Sequence, residues 1–79
     1  MTQEAIHLLG KALNMAPQEI GPDTRLGLVP QWDSLAHMRL ILAIEARLGR
    51  QLDPREILSI DSPGALADIL RQEHHTDPS

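Results

Sequence analysis

The sequence predicts an all-α fold, a bundle of four helices with a long first connection and a short third helix. Three observations point there. The apolar residues make up 42% of the 79-residue chain and are almost all Leu, Ile, Ala, Met and Val, a set rich in helix formers. Trp32 is the single aromatic residue, with no Phe or Tyr, so the aromatic side chains that favour strands are nearly missing. Apolar positions recur at helical spacing in separate stretches divided by proline and glycine.

The first helix is expected from about Thr2 to Met15. Ile6, Leu9 and Leu13, with Ala5, Leu8 and Ala12 beside them, form its stripe. Thr2 is placed to cap its start, and Pro17 limits its extension. From Ala16 to Trp32 the periodicity is broken by Pro17, Gly21, Pro22, Gly27 and Pro30. Gly21-Pro22-Asp23-Thr24 reads as a turn, and Leu26, Leu28 and Val29 are expected to pin this long loop to the core. The second helix is expected from Ser34 or Leu35 to about Leu48, capped by Asp33 and stopped by Gly49, with Arg47 and Arg50 near its end. Leu35, Met38, Leu40, Ile41, Leu42, Ala43, Ile44 and Leu48 spread around most of its circumference, which predicts a central helix with the others packed about it.

Asp53-Pro54-Arg55-Glu56 combines a cap, a first-turn proline and a glutamate three residues on. It predicts a short third helix whose apolar contacts come from Ile57, Leu58 and Ile60. Ser62-Pro63 repeats the cap-then-proline signal for a fourth helix carrying Leu66, Ile69 and Leu70. Residues 1–73 are read as one domain and 74–79 as a disordered polar tail.

Size and charge narrow the functional classes. A chain this short has little room for a deep active-site cavity. The absence of cysteine excludes disulfides, thiolate metal sites and cysteine nucleophiles. The net charge of −4 argues against grasping a nucleic acid backbone and suits encounter with basic protein surfaces. No apolar run reaches membrane-spanning length, and the N-terminus lacks the pattern of a secretory signal, so a cytoplasmic monomer is the expectation. His7 and His37 have no ligand-like spacing and His74-His75 sits in the tail, so no metal is expected and the histidines are read as surface residues.

The feature that asks for more than a structural explanation is Ser34, in Trp32-Asp33-Ser34-Leu35. Asp and Ser are ordinary capping residues. A serine at a helix N-terminus also turns its hydroxyl outward, and a phosphodiester placed there meets the positive end of the helix dipole and free backbone N–H groups. No base or oxyanion-hole motif accompanies it, and His37 one turn on is too little for a Ser-His pair, so no catalytic residue is assigned.

Asp33-Ser34-Leu35, followed by Met38, Leu42, Ala43, Ile44, Glu45 and Leu48-Gly49, resembles the second helix of acyl carrier proteins. The resemblance extends to the first helix, the loop with Asp23-Thr24-Arg25-Leu26, the short helix after Asp53 and the Ser62-Pro63 start of the last. It implies the acyl-carrier type of four-helix bundle. It implies a 4′-phosphopantetheine arm, moved from coenzyme A onto Ser34 by a phosphopantetheinyl transferase. The arm's thiol would then hold an acyl group as a thioester. That accords with a chain that has no thiol of its own. By the same resemblance Asp33 helps the transferase engage, and Leu35 and Met38 contact partner enzymes. Those partners are an acyl-activating ligase and acyl-transferring or condensing enzymes. A cargo-holding cleft between the second and third helices is likewise implied.

Two departures bear on partner choice. Ala36, Arg39 and Ala46 stand where acids are common in carriers of general fatty acid synthesis, while Glu45 remains. Arg39 and Arg47 reverse the sign of part of the face. This points to a dedicated partner set, against the plainer reading of a solvated face. Trp32 stands where a small residue is frequent, either packing on Leu26 or Leu28 to order the loop or helping to select partners. The expectation is a carrier that performs no bond-making itself. The competing readings are an aminoacyl or peptidyl carrier, an unmodified helical interaction module and, remotely, a hydrolase.

Overall fold

The computed structural model describes residues 3–75, and side chains through residue 71. Those residues form four α-helices and one 3-10 turn: α1 (Gln3–Leu13), the turn Pro17–Glu19, α2 (Ser34–Leu48), α3 (Pro54–Ser59) and α4 (Pro63–His75). The fold is all-helical and of the acyl-carrier type expected. The Thr2 cap lies outside the described residues. The expected tail begins inside the last turn of α4, and 76–79 are not described.

Helix α1 ends at Leu13, two residues earlier than expected, and the reason is local. Asn14 adopts φ 58°, and the Met15 N–H reaches back to the Gly10 carbonyl at 2.9 Å. This closes the helix in the six-to-one pattern usually made with glycine. Gly10 is the residue that allows it. A Cβ there would lie 2.8 Å from the Met15 oxygen, which is backbone rather than the end of a flexible side chain. Gly10→Ala therefore lowers stability by about 1–3 kcal/mol despite alanine's better helix propensity. A denaturant midpoint unchanged or raised in that variant contradicts the steric account.

The long connection is hydrogen-bonded rather than slack. Gly21 and Thr24 close the expected turn reciprocally, the Gly21 N–H donating to Thr24 Oγ1 at 3.0 Å and the Thr24 N–H to the Gly21 carbonyl at 3.0 Å. The Leu26 N–H donates to the Asp61 carbonyl at 3.0 Å, and Arg25 pairs with the Asp61 carboxylate at 3.7 Å. The loop is thus tied to the α3–α4 junction. Leu26 and Val29 pack on the core as expected, but Leu28 does not, being 73% exposed.

Helix α2 begins at Ser34 because Asp33 Oδ1 accepts the Ala36 N–H at 2.8 Å. It stops where Gly49, at φ 74°, returns its N–H to the Glu45 carbonyl at 2.8 Å, a stop that glycine adopts without strain. The expectation of a central helix with the others packed about it is corrected. Ala36, Leu40, Ile41 and Ile44 are buried, whereas Leu35, Met38 and Leu42 are exposed. The two sets are separated by the 100° turn per residue onto opposite faces of one amphipathic helix. Close helix packing is centred on α1, which lies against both α2 and α4. Ala5, Leu9, Ala12 and Leu13 of α1 meet that buried face together with Leu66, Ala67, Ile69 and Leu70 of α4.

Helix α3 is held chiefly from its ends. Asp53 and Glu56 form the expected reciprocal cap, at 2.8 and 3.0 Å, and Arg50 grips Glu56 with two bonds of 3.0 and 2.8 Å. Of its apolar residues Ile57 packs against the core, Ile60 beyond its end is buried, and Leu58 is 78% exposed rather than a core contact. The hydrogen bonds from Arg50, and next that from the Asp53 N–H, hold the Glu56 carboxyl down to about 2. A carboxylate depressed in the folded state contributes stability above its unfolded value, about 4.3, and loses it as pH falls toward the folded one. The denaturant midpoint is therefore expected to fall between pH 4.3 and 2 less steeply in Glu56→Gln than in the parent chain. Equal slopes refute the assignment.

Helix α4 starts as expected, the Ala65 N–H donating to Ser62 Oγ at 3.2 Å with Pro63 in the first turn.

Candidate functional site

Ser34 is the first residue of α2, exposed, and its hydroxyl makes no hydrogen bond among the described residues. The capping is done by Asp33, whose Oδ1 takes the Ala36 N–H, while the Asp33 carbonyl accepts from the His37 N–H at 2.9 Å. That division of labour frees the serine. The N–H groups of Ser34 and Leu35 belong to the first turn, where no preceding carbonyl lies within helical reach, so they face outward with the positive end of the dipole. A hydroxyl, outward N–H groups and a helix terminus together suit a phosphate ester. The residues present therefore fit a phosphopantetheine arm.

The second feature is one the spacing signals missed. Trp32 is fully buried, and its indole N–H donates to His37 Nδ1 at 3.0 Å. Since Nδ1 accepts, the ring's proton lies on Nε2, which donates to the Ile57 carbonyl at 3.0 Å. The two rings lie 6.0 Å apart, tilted by 35°. A single imidazole thus links the loop before the serine, the first turn of α2, and α3. His37 is not the surface residue expected. Burial of Trp32 in the core favours the packing one of its two expected roles, with Leu28, at 73% exposed, outside that core. The available signal was Trp and His five residues apart astride a helix start.

The remaining sequence-predicted site residues divide. Leu35 and Met38 are 65% and 59% exposed, and Leu42, 62% exposed, extends the same face by a turn. Leu28 and Leu58 are further exposed leucines on the loop and α3. The charged residues are less free than expected. Arg39 Nε donates to the Ala12 carbonyl at 3.2 Å, placing its cation at the negative end of α1. Glu45 is half-buried and accepts the Leu52 N–H at 2.9 Å, securing the chain after α2. Arg47 pairs with Glu4 at the start of α1, and that hydrogen bond, then the carboxylate charge, raises the guanidinium's pKa. Ala36 is buried, so no acid belongs there and it is no part of a recognition face. Ala46 is exposed.

The described residues hold no cluster of three or more metal-ligating side chains. Among them no helix is long and apolar enough to cross a membrane.

This geometry, a helical bundle presenting an uncommitted serine at the leading turn of its second helix, defines a carrier domain. The family model for the phosphopantetheine attachment site matches residues 3–70, and the chain belongs to that family. The family's domains carry a covalently attached 4′-phosphopantetheine, act as non-catalytic carriers and engage partner enzymes. No curated protein and no solved structure matches the chain.

Proposed function

We propose that the chain is an acyl carrier protein in which Ser34 Oγ is the attachment atom of the 4′-phosphopantetheine. The observation that carries this reading is the exposed, unbonded Ser34 hydroxyl at a helix terminus whose capping is already done by Asp33. A visiting transferase supplies the base. The serine oxygen bonds to the phosphorus of coenzyme A as the nucleotide half leaves and the hydroxyl proton goes to that base. The new phosphodiester then lies beside the first-turn N–H groups. When attached, the arm offers a thiol that holds cargo as a thioester.

The partner set follows from the face of α2. Its exposed centre is Leu35, Met38 and Leu42, while Arg39, Glu45 and Arg47 are each engaged within the chain. Enzymes that engage this carrier (the transferase, an acyl-activating ligase and acyl-transferring or condensing enzymes) therefore gain affinity mainly from apolar contact on α2. Charge sets the approach. That favours a dedicated set over enzymes selecting a strongly acidic helix.

Intact mass after incubation with coenzyme A and a broad-specificity phosphopantetheinyl transferase tests the reading. The expected result is a gain of one phosphopantetheine, mapped by fragmentation to the peptide containing Ser34. No gain with several transferases would leave an unmodified interaction module as the better account.

A further inference from the structure

We propose that the Trp32–His37–Ile57 bridge closes the space between α2 and α3, so that cargo on the arm stays at the surface. The carrier is thereby suited to small or polar acyl groups rather than long alkyl chains. This rests on attachment at Ser34 and names the cargo class for that site.

Ser34 lies one helical turn from His37. A chain entering the bundle from the serine between α2 and α3 must pass the imidazole that joins them. Behind it stands Trp32, the largest of the fully buried side chains. Opening this route breaks both imidazole hydrogen bonds and takes the partner from the indole N–H of the fully buried Trp32, a costly group to leave unpaired. It also displaces side chains from a close-packed interior, which resists added volume.

Four recesses among the described residues lie elsewhere. Three, of about 370–380 Å³, line α1 around His7. Another, of about 260 Å³, lies between α3 and α4 beside Ser59 and Ile69. None of these is lined by Trp32 or by a residue of α2. Buried side-chain polar atoms are all hydrogen-bonded among the described residues, so nothing in the interior waits for a polar ligand either. A long alkyl chain on the arm would then lie on exposed apolar side chains such as Leu35, Met38 and Leu42. A short or polar acyl group needs no cover.

The test compares two forms of the full chain, one loaded from coenzyme A and one from octanoyl-coenzyme A by the same transferase, each verified by intact mass. The expected result is the same Tm and the same Trp32 emission maximum in both. Taking the octanoyl chain into the bundle would bury apolar surface and raise Tm by at least about 5 °C, with a shift in emission, and that outcome overturns the proposal. The comparison needs no variant, so a folding defect cannot obscure it. Trp32→Leu, where it folds, is expected to gain the octanoyl-dependent rise that the parent chain lacks. If neither coenzyme A adds mass at Ser34, the attachment reading itself is wrong and the cargo proposal falls with it. Mass and Tm thus separate the two failures.

Discussion

Ser34→Ala abolishes loading by the transferase while leaving the helix content and cooperative unfolding of the chain intact. Among the described residues no other hydroxyl combines Ser34's setting. Ser59 Oγ donates to the Glu56 carbonyl at 2.9 Å and Ser62 Oγ caps α4, while Thr24 is buried and accepts the Gly21 N–H. Loss of modification is therefore complete rather than partial. Stability changes little, within about 0.5 kcal/mol, since an exposed residue with no cap to lose is being replaced by the best helix former. Intact mass and circular dichroism check the two halves. A mass gain that survives in the variant places the arm on another residue. An unfolded variant makes Ser34 structural.

Trp32→Ala has the largest expected effect on the fold. Removing a fully buried aromatic side chain costs about 3–5 kcal/mol, and the indole's loss leaves His37 Nδ1 without its donor. A domain of this size holds only about 4–12 kcal/mol in all, so the variant is expected at or near the edge of unfolding at 37 °C. Urea titration followed by circular dichroism measures this directly. A loss under about 1 kcal/mol is incompatible with the indole as a core element. Trp32→Phe separates packing from hydrogen bonding. It retains most of the apolar volume yet loses the N–H, and is expected to fall between the two.

The local signals in the chain were strong wherever a short segment determines its own geometry. Asp53-Pro54 with Glu56, Ser62-Pro63, Asp33 and Gly49 were each legible because caps and stops depend on residues within four positions. The 3-10 turn at Pro17–Glu19 has no such signal. It depends on Glu19 Oε1 accepting the Ala16 N–H at 2.8 Å, a reach that alternation of apolar residues does not encode. Long-range choices were the least legible. Leu28, Leu35, Met38, Leu42 and Leu58 are as apolar as the buried leucines, and only the placement of α1 against α2 and α4 decides which of them remain outside. The charges misled for a related reason. Arg39 and Glu45 find partners 27 and 7 residues away, so composition of the α2 face overstates the charge it offers to a visitor. The serine was legible because its setting is local, and its hydroxyl is exposed as that setting requires. The His37 bridge, which spans 20 residues to Ile57, was not.

The Asp33 carboxylate, pinned by one oxygen to the Ala36 N–H, has a wider consequence. Its rotamer is already chosen before any visitor arrives. An enzyme that reads this acid through its second oxygen meets a charge of settled direction and forfeits little side-chain freedom in doing so. The anchor that starts the helix would then serve as a ready-set landmark one residue from the point of attachment.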